Sequence, residues 1–389
     1  MTQAAHSRPY TAVLVVPTGI GAAVGGYAGD ALPVARAIAS VVDTLITHPN
    51  VMNGAQLYWP LPNAYYVEGY GLDQFAAGRW GLAPVHSNRI GLVLDAAIED
   101  DLRWRHLQAA DAARATLGLD LTDYVVTDAP LGVELRSAES GATWGTIQRP
   151  DSLLRAAERA IAAGAEAIAV VARFPDDIDV NALQDYRQGQ GVDPLAGAEA
   201  VISHLVVRSL GVPCAHAPAL SPLPLDPSIS PKSAAEELGY TFLPCVLAGL
   251  SRAPQFVVSP SWAGSSPTGS SPTSSATGSS ATGSSATGSS AILWADQVDA
   301  IVVPASACGG SALLSLSRRA LAIAVEANTT ALAVSPETLG ISAVRVGSYL
   351  EAIGLLAAHR AGVQPQALTA QMPQLKEFRP GAKVHPSGR

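Results

Sequence analysis

Cys308 stands in the run Ala307-Cys308-Gly309-Gly310-Ser311, between the apolar stretch Ala300–Val303 and a segment with helical spacing. A helix N-terminus stabilises a thiolate and lowers the cysteine pKa below its free value of about 8.5. The adjacent glycines would leave backbone N–H groups open to a developing oxyanion. Cys308 is therefore the candidate nucleophile; the competing reading is a small buried thiol, the usual fate of a free cysteine. His216 lies between two prolines in Pro213-Cys214-Ala215-His216-Ala217-Pro218, which would hold its imidazole in place as a general base. Asp128 opens the loop Asp128-Ala129-Pro130-Leu131-Gly132-Val133-Glu134 and is the candidate orienting carboxylate. Asp128 and Glu134 can divide acid and base work, or hold a divalent ion with Asp95. Turn formation and capping explain the same aspartate equally well.

A second set of residues suits an anion. The run Gly19-x-Gly21-x-x-x-Gly25-Gly26 follows an apolar stretch, and glycines there let N–H groups approach a phosphate or carboxylate. It is not the dinucleotide fingerprint, because the third glycine comes one residue late. A tight packing turn is the alternative. Thr18, Gly309, Gly310 and Ser311 join Gly19 and Gly21 as ligand-binding candidates, and Ser306 flanks them with another hydroxyl. Arg187 lies in the long segment from Phe174 to Val192 and is a candidate carboxylate or phosphate clamp. His204 reads as a satisfied core residue, and His48 as a cation at a helix end. Cys214, His216, His204 and Cys245 match no standard zinc spacing, so no metal site is expected and no cofactor is identified.

These residues need a frame. Apolar runs predict strands at Ala12–Val16, Ile90–Asp95, Tyr124–Thr127, Ala167–Ala172, Val212–Ala215 and Ala300–Val303. Helical spacing covers Leu32–Thr47, Asp100–Leu117, Leu153–Ala163, Leu195–Leu210, Ser233–Leu238 and Ser311–Ala327, with Asp151 as an N-cap. The alternation predicts an α/β fold, a mostly parallel sheet with helices on both faces and room for a two-lobed arrangement. In such sheets ligands bind beyond the carboxyl ends of the strands, where Thr18, Asp95, Asp128, His216 and Cys308 would share one rim. The run Val15-Val16-Pro17-Thr18-Gly19-Ile20-Gly21 also echoes Val302-Val303-Pro304-Ala305-Ser306-Ala307-Cys308.

Residues 1–258 read as the α/β core and 292–370 as the strand–helix segment that completes it. Between them, 259–291 is a Ser/Gly/Thr/Ala insertion repeating Ala-Thr-Gly-Ser-Ser, and 371–389 is a polar tail. The 389 residues carry a net charge of -8 and no Lys/Arg run, which argues against nucleic acid as a partner. Lys232, Lys376 and Lys383 are the only lysines, so Schiff-base, P-loop and Ser-Lys chemistry have almost no residue to use. Three cysteines with no CxxC pair fit a reducing compartment, and the longest uncharged stretch is broken by Pro17 and several glycines. The expectation is a cytoplasmic protein with a small-molecule ligand, no membrane partner and Ala-rich helices able to support homo-oligomers.

The runs Val15–Gly21, Thr47-His48-Pro49-Asn50, Tyr124–Gly132, Ala215-His216-Ala217-Pro218 and Ala307–Ser311 resemble a domain-of-unknown-function family widespread in cyanobacteria. The resemblance covers nearly all of the chain outside the insertion and tail; it implies a cyanobacterial cytoplasmic protein and brings no assigned activity. Function at this stage rests on the rim: a hydrolase or transferase acting on a small polar, anionic metabolite. A non-catalytic metabolite-binding or regulatory protein, or an oligomeric scaffold, fits the same residues.

Overall fold

The computed structural model describes residues 8–375 apart from 54–56, 58, 177–179, 223, 238–241, 264–291 and 373. Residues 264–291 of the repeat insertion, and the end of the tail, thus lie outside the described residues; the start of the insertion forms the short helix α10 (Pro260–Ala263).

The parallel strands divide into two sheets. The first contains β1 (Thr11–Leu14), β2 (Thr44–Thr47), β3 (Ala64–Tyr66), β12 (Ala300–Pro304), β13 (Leu321–Val325) and β14 (Val344–Val346), in the order β14-β13-β12-β1-β2-β3. The second contains β5 (Ile90–Leu94), β6 (Val125–Val126), β9 (Ala167–Arg173) and β10 (Cys214–Ala219), in the order β10-β9-β5-β6. Two antiparallel ribbons complete the set: β4 (Trp80–Ala83) with β11 (Gln255–Val258), and β7 (Val133–Ser137) with β8 (Thr143–Ile147). Chain order reverses between β1 and β12 in the first sheet and between β5 and β9 in the second, so each has a switch point of the kind where open α/β sheets bind ligands. The two echoing runs of the sequence flank the first of these points: β1 and β12 pair in parallel, with Leu14 opposite Val302.

The expected α/β architecture is present, and strand alternation shows why both faces are covered. Leu14 packs with Ala35 and Ile38 of α1 (Leu32–Ala39) and Leu356 of α12 (Tyr349–Arg360). Its neighbour Val13 points to the opposite face. There it joins Phe75 of α3 (Gly69–Ala76) and Leu313 and Leu316 of α11 (Ser311–Leu316). In the second sheet Val93 and Val170 meet Leu153 of α5 (Pro150–Ala162) and Ile202 of α7 (Ala196–Leu210). Leu92 and Val171 face Val246 of α9 (Phe242–Ser251) and Ala110 of α4 (Asp100–Leu117), within the core that also holds Leu14, so one core joins the two sheets.

Two expected helices are each part strand. Leu32–Thr47 is α1 followed by β2, and Ser311–Ala327 is the short α11 followed by β13. Leu321-Ala322-Ile323-Ala324-Val325 has no polar face, and its period cannot separate a buried strand from a buried helix. Asp151 lies in the first turn of α5 and the N-cap is Arg149, because Pro150 already starts the helix. The segment Phe174 to Val192 contains α6 (Val180–Arg187). The helix expected at Ser233–Leu238 is α8 (Pro231–Glu237).

Candidate functional site

At the second sheet's switch point the chain supplies its own anion. Asp95 follows β5 and is fully buried. Its Oδ1 accepts from the N–H groups of Ala97 and Leu131, both at 3.0 Å, and its Oδ2 from that of Arg173 at 3.1 Å. The Arg173 guanidinium is engaged by Glu99 at 2.9 Å and by Asp176 at 2.5 Å. Asp95 is thus a structural knot between β5, β9 and the loop leading to β7, and it is not open to a ligand or divalent ion.

At the first sheet's switch point the loop after β1 is also occupied by protein. Gly19 and Gly21 have φ of 70° and 58°, a region that L side chains seldom adopt. The Gly19 carbonyl accepts from Thr143 N–H at 2.8 Å. A Cβ at Gly19 would meet Thr143 Oγ1 at 2.8 Å, and one at Gly21 would meet Gly191 O at 2.9 Å. These glycines let the loop pack on β8 and on the segment after α6, so they do not cradle an anion; Thr18 is half-buried beside them.

The proposed catalytic trio is not assembled. Cys308 is fully buried and its thiol donates weakly to the Pro304 and Ala305 carbonyls, both at 3.6 Å. Burial pushes that thiol up to about 11, the reverse of what a nucleophile needs. The helix terminus expected to activate it is filled from elsewhere: Asp73 of α3 accepts from Ser311 and from the N–H of Ala312. Gly309 and Gly310 are exposed, and the Asp73 carboxylate, not a ligand, occupies the end of their helix. His216 sits within β10, with Nδ1 3.1 Å from Ser203 Oγ and Nε2 3.7 Å from Glu199. Asp128 follows β6 and is held by Arg155 Nε at 2.6 Å and by Ser152. Since β6 and β10 are opposite edges of a four-stranded sheet, Asp128 and His216 are separated by roughly 14 Å of strand spacing. Glu134 is on β7, bonded to Arg136, Thr146 and Gln148, and forms no pair with Asp128. Arg187 ends α6 and is mostly buried, with Nη2 donating to Pro224 O at 2.8 Å. Cys214, Cys245 and Cys308 are all buried. We therefore expect Ellman's reagent to label no thiol in the folded protein and all three in denaturant; rapid native labelling of Cys308 would restore it as a nucleophile.

What lies open at this rim is a cavity of about 400 Å³ beyond β12, β13 and β14. Ala305, Ser306, Glu326, Thr329, Thr330, Ala333, Ser335 and Arg345 line it. Ser306 Oγ and Thr330 Oγ1 are 2.9 Å apart. The N–H groups of Thr329 and Thr330 have no hydrogen-bond partner among the described residues. Arg345 Nη1 reaches Glu326 Oε1 at 3.1 Å, while Nε and Nη2 grip Glu337 at 2.8 and 2.7 Å. The arrangement offers charged donors, acceptors and several hydroxyls to a small polar molecule. Ser306 was legible as a rim residue. Glu326, Thr329, Thr330 and Arg345 were not, because β13 reads as helix and β14 carries only three residues. The signal was present in the apolar run Leu321–Val325 ending at Glu326 and Thr329-Thr330.

A second ionisable cluster joins the end of β3 to α7. Glu68, just after β3, is buried; it caps α3 by accepting from the N–H of Tyr70 at 2.8 Å and of Gly71 at 3.3 Å, and pairs with His204 Nδ1. Burial works against the His204 imidazolium, yet the bond to Glu68 and the Glu68 and Asp73 charges raise its pKa on balance. A Cβ at Gly69 would come within 2.8 Å of the ring, so the glycine makes room for it. His204 is thus no satisfied core residue, and the missed signal is Glu68-Gly69 after Tyr65-Tyr66-Val67. His48, fully buried, accepts from Val16 N–H at 3.0 Å through Nε2 and starts α2 (Pro49–Met52) instead of ending a helix. No group of three metal-ligating side chains converges among the described residues. Among the same residues, no helix is long and apolar enough to cross a membrane.

A sequence profile described as "Protein of unknown function (DUF3326)" matches residues 11–369. A protein of the cyanobacterium Synechococcus sp. (strain PCC 6301), named an uncharacterized lipoprotein, is 62% identical over 363 residues, covering 93% of this chain and 94% of that protein. No solved structure matches.

Proposed function

Because the chain belongs to the DUF3326 family of proteins of unknown function, we propose a function from its site alone: it binds a small polar metabolite carrying an anionic group, in the cavity beyond β12–β14. The observation that carries this reading is the convergence of Arg345, Ser306, Thr330 and the Thr329–Thr330 N–H groups on one cavity beside a topological switch point. Of the three classes open from the sequence, enzyme, metabolite-binding protein and oligomeric scaffold, the cavity favours binding over hydrolase or transferase turnover. Cys308 near the cavity is buried, and among the described residues Glu326 is the one carboxylate in the lining able to serve as an acid or base. A cytoplasmic location is proposed with it. The relative is named a lipoprotein; Cys214, Cys245 and Cys308 of this chain are all buried in the folded state.

The test is a set of thermal melts against small carboxylates, the common amino acids among them, and phosphates. Arg345 is exposed and its ion pairs are surface pairs, so Arg345→Ala should cost little by itself, within about 1 kcal/mol. A true ligand at a hundred times its Kd adds about 2.7 kcal/mol of stability. We expect the wild type to gain melting temperature with at least one such compound and Arg345→Ala to lose the gain. Equal shifts in both proteins, or none in the wild type, would remove the reading.

A further inference from the structure

We infer that the cavity takes a zwitterion of amino-acid size, one carboxylate and one ammonium on a small body. This rests on the reading of the cavity as a ligand site and narrows it. Among the described residues the lining contains one anion, Glu326, and one cation, Arg345, already 3.1 Å apart. Each has capacity to spare. Arg345 uses three of its guanidinium N–H groups, on Glu326 and Glu337, which leaves two of the five that the group carries. Glu326 accepts through Oε1, and its Oε2 has no partner among the described residues. A carboxylate alone would turn to Arg345 but meet Glu326 and Glu337 beside it. These two against one arginine make the neighbourhood net negative, which penalises a simple anion and a phosphate still more. A cation alone would compete with Arg345 for Glu326 and leave the donors unused. A zwitterion answers both: its carboxylate accepts from Arg345 and from the free N–H groups of Thr329 and Thr330, and its ammonium donates to Glu326.

The rest of the lining sets the body of the ligand. Ser306, Thr330 and Ser335 can reach one hydroxyl or amide, and Ala305 and Ala333 leave a small apolar wall. Among the described residues no aromatic side chain lines the cavity to stack a nucleobase or a sugar ring. A volume of about 400 Å³ is at the small end of ligand pockets.

The test is calorimetric titration of the full chain with each of the common amino acids, with acetate, with inorganic phosphate, with methylammonium and with glucose. At least one amino acid is expected to bind saturably, and acetate at least about tenfold more weakly. Glu326→Gln should weaken that amino acid by about tenfold while leaving acetate unchanged or tighter. Arg345→Ala should abolish both. Acetate or phosphate binding as tightly as any amino acid would overturn the zwitterion and leave the anion reading standing. Glucose or methylammonium as the tightest titrant would overturn both. Absence of binding by every titrant would likewise overturn both.

Discussion

Asp95→Ala is expected to destabilise the fold by about 4 kcal/mol, read as a lower urea midpoint at unchanged slope. The carboxylate is fully buried and accepts three backbone N–H bonds, from Ala97, Leu131 and Arg173. Each buried donor left without a partner costs about 1–3 kcal/mol, and a small cavity adds to that. The two donors beyond its own loop lie on different segments, Leu131 in the loop leading to β7 and Arg173 at the end of β9, so local relaxation of one segment cannot rescue both. Asp95→Asn keeps the shape but turns an NH2 group toward some of the same donors, and should fall between wild type and alanine. A loss below about 1 kcal/mol for alanine would mean that water reaches these groups and that the second switch point is not sealed.

The second large effect is acid sensitivity through His48. Its Nε2 accepts from Val16 N–H, so the folded state needs the neutral ring, and burial pushes its pKa down to about 4 from an ordinary 6.5. Between these values the unfolded chain binds a proton that the folded chain refuses. Stability therefore falls as pH drops from about 6.5 towards 4, by up to about 3 kcal/mol from this group, and its contribution is level outside that window. Buried Asp193 works in the opposite direction: burial first, then Glu199, hold its carboxyl up to about 7, so the folded state takes its proton early. His204 adds stability that is complete below its unfolded pKa and fades as pH rises through its raised folded value. The difference between wild type and His48→Gln isolates the one group. The glutamine oxygen can accept from Val16 N–H and has no proton to gain, so the variant should improve relative to wild type by about 3 kcal/mol between pH 7 and 4. Parallel pH profiles for the two proteins would show that His48 takes up its proton equally readily folded and unfolded, against the account.

The sheets were legible where strands are buried on both faces. Ile90–Leu94 and Ala300–Pro304 are continuous apolar runs and are buried throughout. β2 and β13 were not, since Thr44–Thr47 is very short and Leu321–Val325 follows a helix without a turn signal strong enough to end it. The rim followed from the rule for parallel sheets, and it led to Ser306. The state of Cys308 did not follow, because burial sets it and because Asp73, far away in sequence, fills the N-terminus of α11 that was expected to activate it. Gly19 and Gly21 have the composition of an anion loop, but what they face is Thr143 of β8 and Gly191 after α6. Glycine spacing alone does not say whether the close approach is to a ligand or to backbone.

The most direct measurement is amide chemical-shift mapping of the full chain with the amino acid or anion that binds tightest in the titrations. The account predicts saturable shifts concentrated at Ser306, Thr329, Thr330, Ser335 and Arg345, absent in Arg345→Ala. Shifts centred instead on the Gly19–Gly21 loop or on Glu68 and His204, with the β12–β14 cavity unmoved, would contradict it.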